Sequence, residues 1–305
     1  MPAEQLKGRD FLRSHDLSRD ELLHLLDLAD RLKQLVRERV EHRLLPGRSL
    51  AMIFERSSTR TRVSFEVGMQ QLGGIAVPLT AADTQIGRGE SITDTGLVLA
   101  RYVDGIVIRT GSHARVEELA EAAAVPVINA LTDVEHPCQA LAEVQTMRER
   151  LGRLEGRRVA WIGDGNNVCQ SLIVTAAKLG MQVAVASPEE FRPDAEIVAS
   201  LGDAVELTTD PHAAVKGADV IVTDVWASMG QEEEREQRVT TFAGYQVNAE
   251  LLEAATPEHI VLHCLPAHVG EEITEDVLHG PHSAAWDEAE NRLHVQKALL
   301  ALVMA

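Results

Sequence analysis

The sequence predicts an α/β protein of two similar-sized, doubly wound domains, each built on a central parallel sheet. Short apolar runs of the kind that form buried parallel strands alternate with segments of helical periodicity along most of the chain. The 305 residues are enough for two domains of ordinary size. Around Arg150 to Arg158 the composition turns charged and glycine-containing, and the alternation then begins again. The boundary is therefore expected at 150/151, with domains over 1–150 and 151–285.

The first helix is expected from about Ser18 to Val40, with Leu22, Leu23, Leu26, Leu32, Leu35 and Val36 as apolar positions and Ser18 with Glu21 as a capping box. Pro46-Gly47 breaks the chain before the strand Leu50 to Phe54. The polar run Glu55 to Arg62 is then the turn into a helix on which Val63 with Val67, and Phe65 with Met69 and Leu72, recur at helical spacing, ended by Gly73-Gly74. Ser58 or Thr59 suits the N-cap. A helix N-terminus offers unpaired N–H groups and the positive end of the dipole. Hydroxyls of Ser58, Thr59 and Thr61, with the guanidinium forks of Arg60 and Arg62, complete what reads as a site for a phosphate-like group. An ordinary cap with solvated arginines would place cations at the wrong end of the dipole.

Thr80 to Ser91 is a polar, glycine-containing loop whose Gln85 and Arg88 read by composition as surface residues. A helix from about Ile92 to Tyr102 leads to the strand Gly105 to Ile108, with Arg109 at its end. A helix near Arg115 to Ala124 and a strand Val125 to Asn129 follow. Pro137 fits the first helical position, which puts His136 at the N-cap and Gln139 in the first turn, with Ala140, Leu141, Val144 and Met147 on the buried face. Ser58 to Arg62, Arg109 and His136 thus all fall just past the carboxyl ends of strands, which share one edge of a parallel sheet where ligands bind.

In the second half, Val159 to Ile162 leads into Gly163-Asp164-Gly165-Asn166-Asn167. The turn invites a nicotinamide-dinucleotide reading. The fingerprint needs a third glycine where Val168 stands, and no acidic residue closes the next strand, Val183 to Ala186. Asn166 or Asn167 can still offer an amide to a polar substrate. The strand Val220 to Thr223 delivers Asp224, a carboxylate opposite in sign to the first domain's arginines. An anion site in one half and an acidic site in the other suit a second substrate carrying an ammonium. Ile260 to Leu262 gives His263-Cys264-Leu265-Pro266. Without a second ligand pair at metal-site spacing, no metal is expected, nor any organic cofactor. A last helix from about Glu288 to Met304 carries Arg292 near its first turn, readable as a surface charge.

A net charge of −18 makes nucleic acid or an anionic membrane an unsuitable partner. Aromatic residues are only 3% of the chain, so base stacking is not a theme. The odd number of cysteines, Cys138, Cys169 and Cys264, argues against a disulfide framework and for a reducing cytosol. No apolar run reaches the length of a membrane span.

Ser58-Thr59-Arg60-Thr61-Arg62 resembles the carbamoyl-phosphate signature of the aspartate and ornithine carbamoyltransferases. His136-Pro137-Cys138-Gln139 resembles the family's His-Pro-x-Gln, His263-Cys264-Leu265-Pro266 its His-Cys-Leu-Pro, and Ala289-Glu290-Asn291-Arg292 a stretch whose arginine reaches carbamoyl phosphate. Asp224 to Gly230 resembles the Asp-x-x-x-Ser-Met-Gly loop of the ornithine-using members, and Thr84 to Ser91 a loop that enters a neighbouring subunit's site through Gln85. The resemblance implies carbamoyl transfer from carbamoyl phosphate to L-ornithine, giving citrulline in arginine metabolism. Cysteine usage makes a cytoplasmic protein the expectation, and the resemblance further implies a homotrimer or multiple of trimers and a C-terminal helix, 286–305, packed back on the first domain.

Under it, Ser58, Thr59, Arg60, Thr61, Gln85, Arg109, His136, Gln139, Cys264, Leu265 and Arg292 bind carbamoyl phosphate, with Arg60, Arg109, His136, Cys264 and Arg292 catalytic. Asn167, Asp224, Ser228 and Met229 hold ornithine. The competing readings are a carbamoyltransferase for a related amine, a nicotinamide-dependent dehydrogenase, and a non-catalytic binding protein of the same fold.

Overall fold

The computed structural model describes residues 6–80, 84–85, 89–227 and 235–305. The chain divides into two units, Met1–Gln145 with Asn291–Ala305, and Thr146–Glu290.

The first unit holds a parallel sheet of order β2-β1-β3-β4, made of β1 (Ser49–Phe54), β2 (Ile75–Thr80), β3 (Gly105–Arg109) and β4 (Val127–Leu131). Parallel neighbours need crossover connections, and helices supply them in turn. Helix α1 (Arg19–Arg37) precedes the sheet, α2 (Thr59–Gln71) joins β1 to β2, α3 (Ile92–Leu99) joins β2 to β3 and α4 (His113–Ala122) joins β3 to β4; α5 (Pro137–Leu151) follows β4. Ala51, Ile53, Ile106, Ile108 and Val127 from the sheet pack with Ile92, Val116 and Leu119 from α3 and α4.

The second unit holds a parallel sheet of order β7-β6-β5-β8-β9: β5 (Arg158–Ile162), β6 (Gln182–Ala186), β7 (Val205–Thr208), β8 (Val220–Thr223) and β9 (Ile260–His263). Its helices are α6 (Asn167–Lys178), α7 (Ala195–Leu201), α8 (Pro211–Val215), α9 (Arg235–Thr241), α10 (Ala249–Leu252) and α11 (Glu275–Leu278), and α12 (Ala285–Met304) closes the chain. In both sheets the strand order reverses once, between β1 and β3 and between β5 and β8. These are the switch points at which doubly wound sheets open a crevice outside the carboxyl ends.

Some elements differ from expectation. Strand β4 begins at Val127, after Pro126, which has no N–H to give a ladder. Its far edge is covered by Phe11, whose N–H donates to Val127 and whose carbonyl accepts from Asn129. In α1 the buried stripe is Leu22, Leu25, Leu26, Ala29, Leu32 and Lys33, so Leu25 and Ala29 replace Leu23, Leu35 and Val36 in the core. On α2, Phe65 and Met69 are buried, as is Leu72 just past its end, but Val63 is 49% exposed, because one helix face takes one stripe only. Helix α12 starts three residues earlier than expected, so Arg292 lies two turns in and is buried. From Asn291 onward it clusters with residues 1–145; Lys33 donates to Asn291 and Lys297 to Gln71, both at 2.7 Å.

Two candidate substrate sites

At the first switch point Ser58 is the N-cap of α2. Its Oγ accepts from the Thr61 N–H at 3.3 Å and donates to Thr61 Oγ1 at 3.1 Å. Thr61 is buried and also accepts from Arg292 Nη2 at 2.9 Å. Arg292 Nη1 donates to Gln139 Oε1 and stands 3.5 Å from His136 Nε2. The other end of the Gln139 amide donates to buried Glu143 at 3.3 Å, which fixes which way the amide faces. Arg109, 5% exposed, ends β3 opposite Phe54 of β1. Burial, then the charges of Arg292, Arg109 and Arg60, push the His136 imidazole well below its ordinary value, so the ring is neutral. Thr61, His136, Gln139 and Arg292 are thus joined by direct contacts, and Arg60 and Arg109 lie near enough for their charges to act on His136. Ser58 is half-buried and Thr59 exposed at the same turn.

Arg62, Gln85 and Cys138 make other contacts. Arg62 is exposed and donates to Glu66 at 2.9 Å, one turn along the solvent face of α2. Its guanidinium is thus engaged outside the cluster of Thr61, His136, Gln139 and Arg292. Gln85 is exposed, and its carbonyl accepts from the Glu90 N–H. Cys138 is buried, its thiol pushed up to about 12 by burial, which makes it a structural residue.

At the second switch point Asp224 follows β8 and is 7% exposed. Its Oδ1 accepts from the Val225 N–H at 2.8 Å and from the Cys264 thiol at 3.0 Å, and its Oδ2 from the Asn166 amide at 2.8 Å. Asn166 also caps α6 through Oδ1, which accepts from the N–H groups of Val168 and Cys169. Asn166 is therefore the amide that reaches Asp224, while Asn167 is the first helical residue and half-buried. Ser228 and Met229 lie outside the described residues.

Cys264 and Leu265 are held from below by a buried pair. The Leu265 N–H donates to His263 Nδ1 at 2.9 Å, so the ring's proton is on Nε2 and faces Glu272 at 3.0 Å. The His263 N–H donates to Glu288 at 3.0 Å. This sustains Leu265 at φ +57, a left-handed conformation that non-glycine residues rarely adopt. Asp224, His263 and Cys264 bring one ligand atom each within 4.8 Å of one another, but all three are already bonded within the chain. Sequence reasoning missed Glu143, Glu272 and Glu288. A single buried glutamate has no local pattern to betray it, and the partners of Glu272 and Glu288 lie 9 and 25 residues away.

The glycine turn after β5 bears on the dinucleotide reading. A Cβ on Gly165 would stand 2.2 Å from the nitrogen of Pro193, and the Gly165 N–H donates to Phe191 at 2.7 Å. The chain's own 191–193 segment thus occupies the space a pyrophosphate would need. The α6 N–H groups that would bind it are capped by Asn166.

Residues 9–149 match the family model described as aspartate/ornithine carbamoyltransferase, carbamoyl-P binding domain, and residues 155–303 the one described as its Asp/Orn binding domain. The chain belongs to the aspartate/ornithine carbamoyltransferase family. It is 55% identical over 305 residues to the ornithine carbamoyltransferase of Carboxydothermus hydrogenoformans, covering 98% of each chain. With that of Symbiobacterium thermophilum it shares 56% over 307 residues, 98% of this chain and 99% of the other. Among solved structures it is similar to ornithine carbamoyltransferase from Pyrococcus furiosus, with a TM-score of 0.94 and 52% identity over 98% of both chains. Family membership and the filled glycine turn together remove the support for a nicotinamide-dependent dehydrogenase.

Proposed function

We propose that the protein transfers the carbamoyl group of carbamoyl phosphate to the side-chain amine of L-ornithine, releasing L-citrulline and phosphate in arginine metabolism. The observation that carries this reading is the opposite character of the two switch points. One gathers a helix N-terminus, Arg60, Arg109, Arg292 and a neutral histidine. The other centres on Asp224.

In the first unit, the α2 N–H groups, Ser58, Thr59, Thr61, Arg60 and Arg109 hold the phosphate. Arg292, Thr61 and His136 aim donors at the carbonyl oxygen, where charge builds in the tetrahedral transition state. A neutral His136 donates one hydrogen bond there without adding a fourth cation. Gln139 Oε1, already accepting from Arg292, has a second lone pair for the carbamoyl NH2. The Leu265 carbonyl is a second acceptor for it.

In the second unit, Asp224 binds the α-ammonium of ornithine with Ser228, and Asn167 with the Met229 backbone takes the α-carboxylate. Cys264, held by Asp224 as a thiol, lies beside the side-chain amine. That amine has an ordinary pKa of roughly 10 and must lose a proton before it attacks. The N–C bond forms, the C–O bond to phosphate breaks, and the departing phosphate takes the proton. Positioning of this kind can supply roughly 7–11 kcal/mol of the barrier.

The working form is a cytoplasmic homotrimer, or a multiple of trimers, in which Gln85 serves a neighbouring subunit's site. Exposed apolar residues support assembly: Ile75 and Val77 on the edge strand β2, and Leu97, Val98 and Tyr102 on and after α3, the last 74% exposed. Among the described residues no helix is long and apolar enough to cross a membrane. A colorimetric citrulline assay with carbamoyl phosphate and L-ornithine tests the reading. Turnover is expected, and its absence with a folded protein would leave only a binding protein of this fold. Turnover with another amine and none with L-ornithine would favour a related carbamoyltransferase.

A further inference from the structure

The two ends of a glutamine amide are alike in shape and opposite in hydrogen bonding, so its neighbours decide what it shows a ligand. Gln139 is wholly buried in the first turn of α5. Glu143 stands four residues on, on the same face of that helix, and is wholly buried too. Gln139 Nε2 donates to Glu143 Oε1 at 3.3 Å, and Arg292 Nη1 donates to Gln139 Oε1. A guanidinium only donates and a carboxylate only accepts, so both neighbours impose the same orientation on the amide. Arg292 is itself anchored on Thr61, whose Oγ1 accepts from Nη2 at 2.9 Å. Donation thus runs one way, from Arg292 through Gln139 to Glu143, and all three residues belong to the first unit. Removing a carboxylate from water is costly. The acceptor that Glu143 gives Gln139 is what an apolar side chain in its place would not supply.

We infer that Glu143 is a positioning residue that makes the anion site select an acyl phosphate carrying N–H on its acyl carbon. This role rests on the carbamoyl phosphate reading of the site and adds a physical reason for the choice among acyl phosphates. With its NH2 held by Glu143, Gln139 keeps its oxygen toward Arg292 and the acyl group. The second lone pair of that oxygen accepts from an NH2 on the acyl carbon. An oxygen in the NH2 place sets lone pair against lone pair, and a methyl leaves the buried acceptor without a donor. Without Glu143 the amide is oriented from one end only, and its NH2 can turn to meet a ligand oxygen.

Calorimetric titration of the full-length protein with phosphonoacetamide and with phosphonoacetate tests this, because the two ligands differ in NH2 against O− on the acyl carbon. The readout is the ratio of their dissociation constants in the wild type, Glu143→Met and Glu143→Gln. Glu143→Met removes the acceptor. Phosphonoacetamide should then bind roughly tenfold more weakly, the loss of about one hydrogen bond, while phosphonoacetate does not weaken. Glu143→Gln removes the charge and keeps an oxygen that can accept from Gln139 Nε2, so its ratio should stay close to that of the wild type. Loosened packing alone would weaken both ligands together and leave the ratio where it was. Should Glu143→Met not fold, Glu143→Leu gives the same readout. A ratio unmoved in Glu143→Met, or moved as far in Glu143→Gln, overturns this role alone; the second result would assign the effect to charge and not to orientation. A wild type that binds neither ligand overturns the carbamoyl phosphate reading and this role with it.

Discussion

The two sheets solve the same topological problem and then diverge in charge. Each reverses its strand order once, and each has a polar turn into a helix just past its first strand. After β1 the turn, capped by Ser58, stands among cations: Arg60 in the first turn of α2, Arg109 on the neighbouring strand and Arg292 bonded to Thr61. After β5 the equivalent turn is closed by its own cap and by Pro193, and a carboxylate from the neighbouring strand takes over. The two sheets therefore share a topology, and the side chains gathered at their switch points differ in sign.

Arg292→Ala should break the anion side most. It removes a guanidinium that bonds Thr61 and Gln139 and leaves both buried groups short of a partner. A fall in kcat/KM on the order of 10²–10³ is expected with an unchanged far-UV circular dichroism spectrum. A tenfold loss or less would remove Arg292 from the transition state.

On the cation side, Asp224→Asn keeps the shape and deletes the charge. The KM for ornithine should rise roughly 10- to 150-fold, the range for losing a charged hydrogen bond, with that for carbamoyl phosphate nearly unchanged. Equal changes in both would mean the contrast between the sites is not functional.

Lys297 sharpens the comparison from within the first unit. It is fully buried between His42 and Gln71, and burial pushes its amine down to about 8 from an ordinary 10.5. Between those values the unfolded chain binds more protons than the folded one, so stability rises with pH across that window. Below it both states are protonated and the cost is fully present. Urea unfolding at pH 7.5 and 9.5 should show the wild type gaining on Lys297→Met at the higher pH. A parallel pH dependence would contradict the assignment.

The smallest effect belongs to Arg62→Ala. Its exposed pair with Glu66 is worth about 0.3–0.5 kcal/mol, and the KM for carbamoyl phosphate should change less than twofold. A larger rise would return Arg62 to the anion site.

Much of this was legible because strands and site turns are local features. The apolar run before Arg60, the Pro137 that starts α5 and the Asp224 that follows β8 each announce themselves within a few residues. Arg62 reads like Arg60 because it shares the signature, yet it lies on the solvent face of α2. Arg292 reads as surface because its partners, Thr61 and Gln139, are 231 and 153 residues away. The buried lysines fail for the same reason: Lys33 and Lys297 are carried inward by amides 258 and 226 residues distant. No window along the sequence contains both members of such a pair.

Binding of phosphonoacetamide, an inert analogue of carbamoyl phosphate, most directly tests the division of charge. Calorimetry should show it bound by the wild type and by Asp224→Asn with similar affinity, and lost in Arg60→Leu. Binding that survives in Arg60→Leu, or that fails equally in Asp224→Asn, would contradict the account.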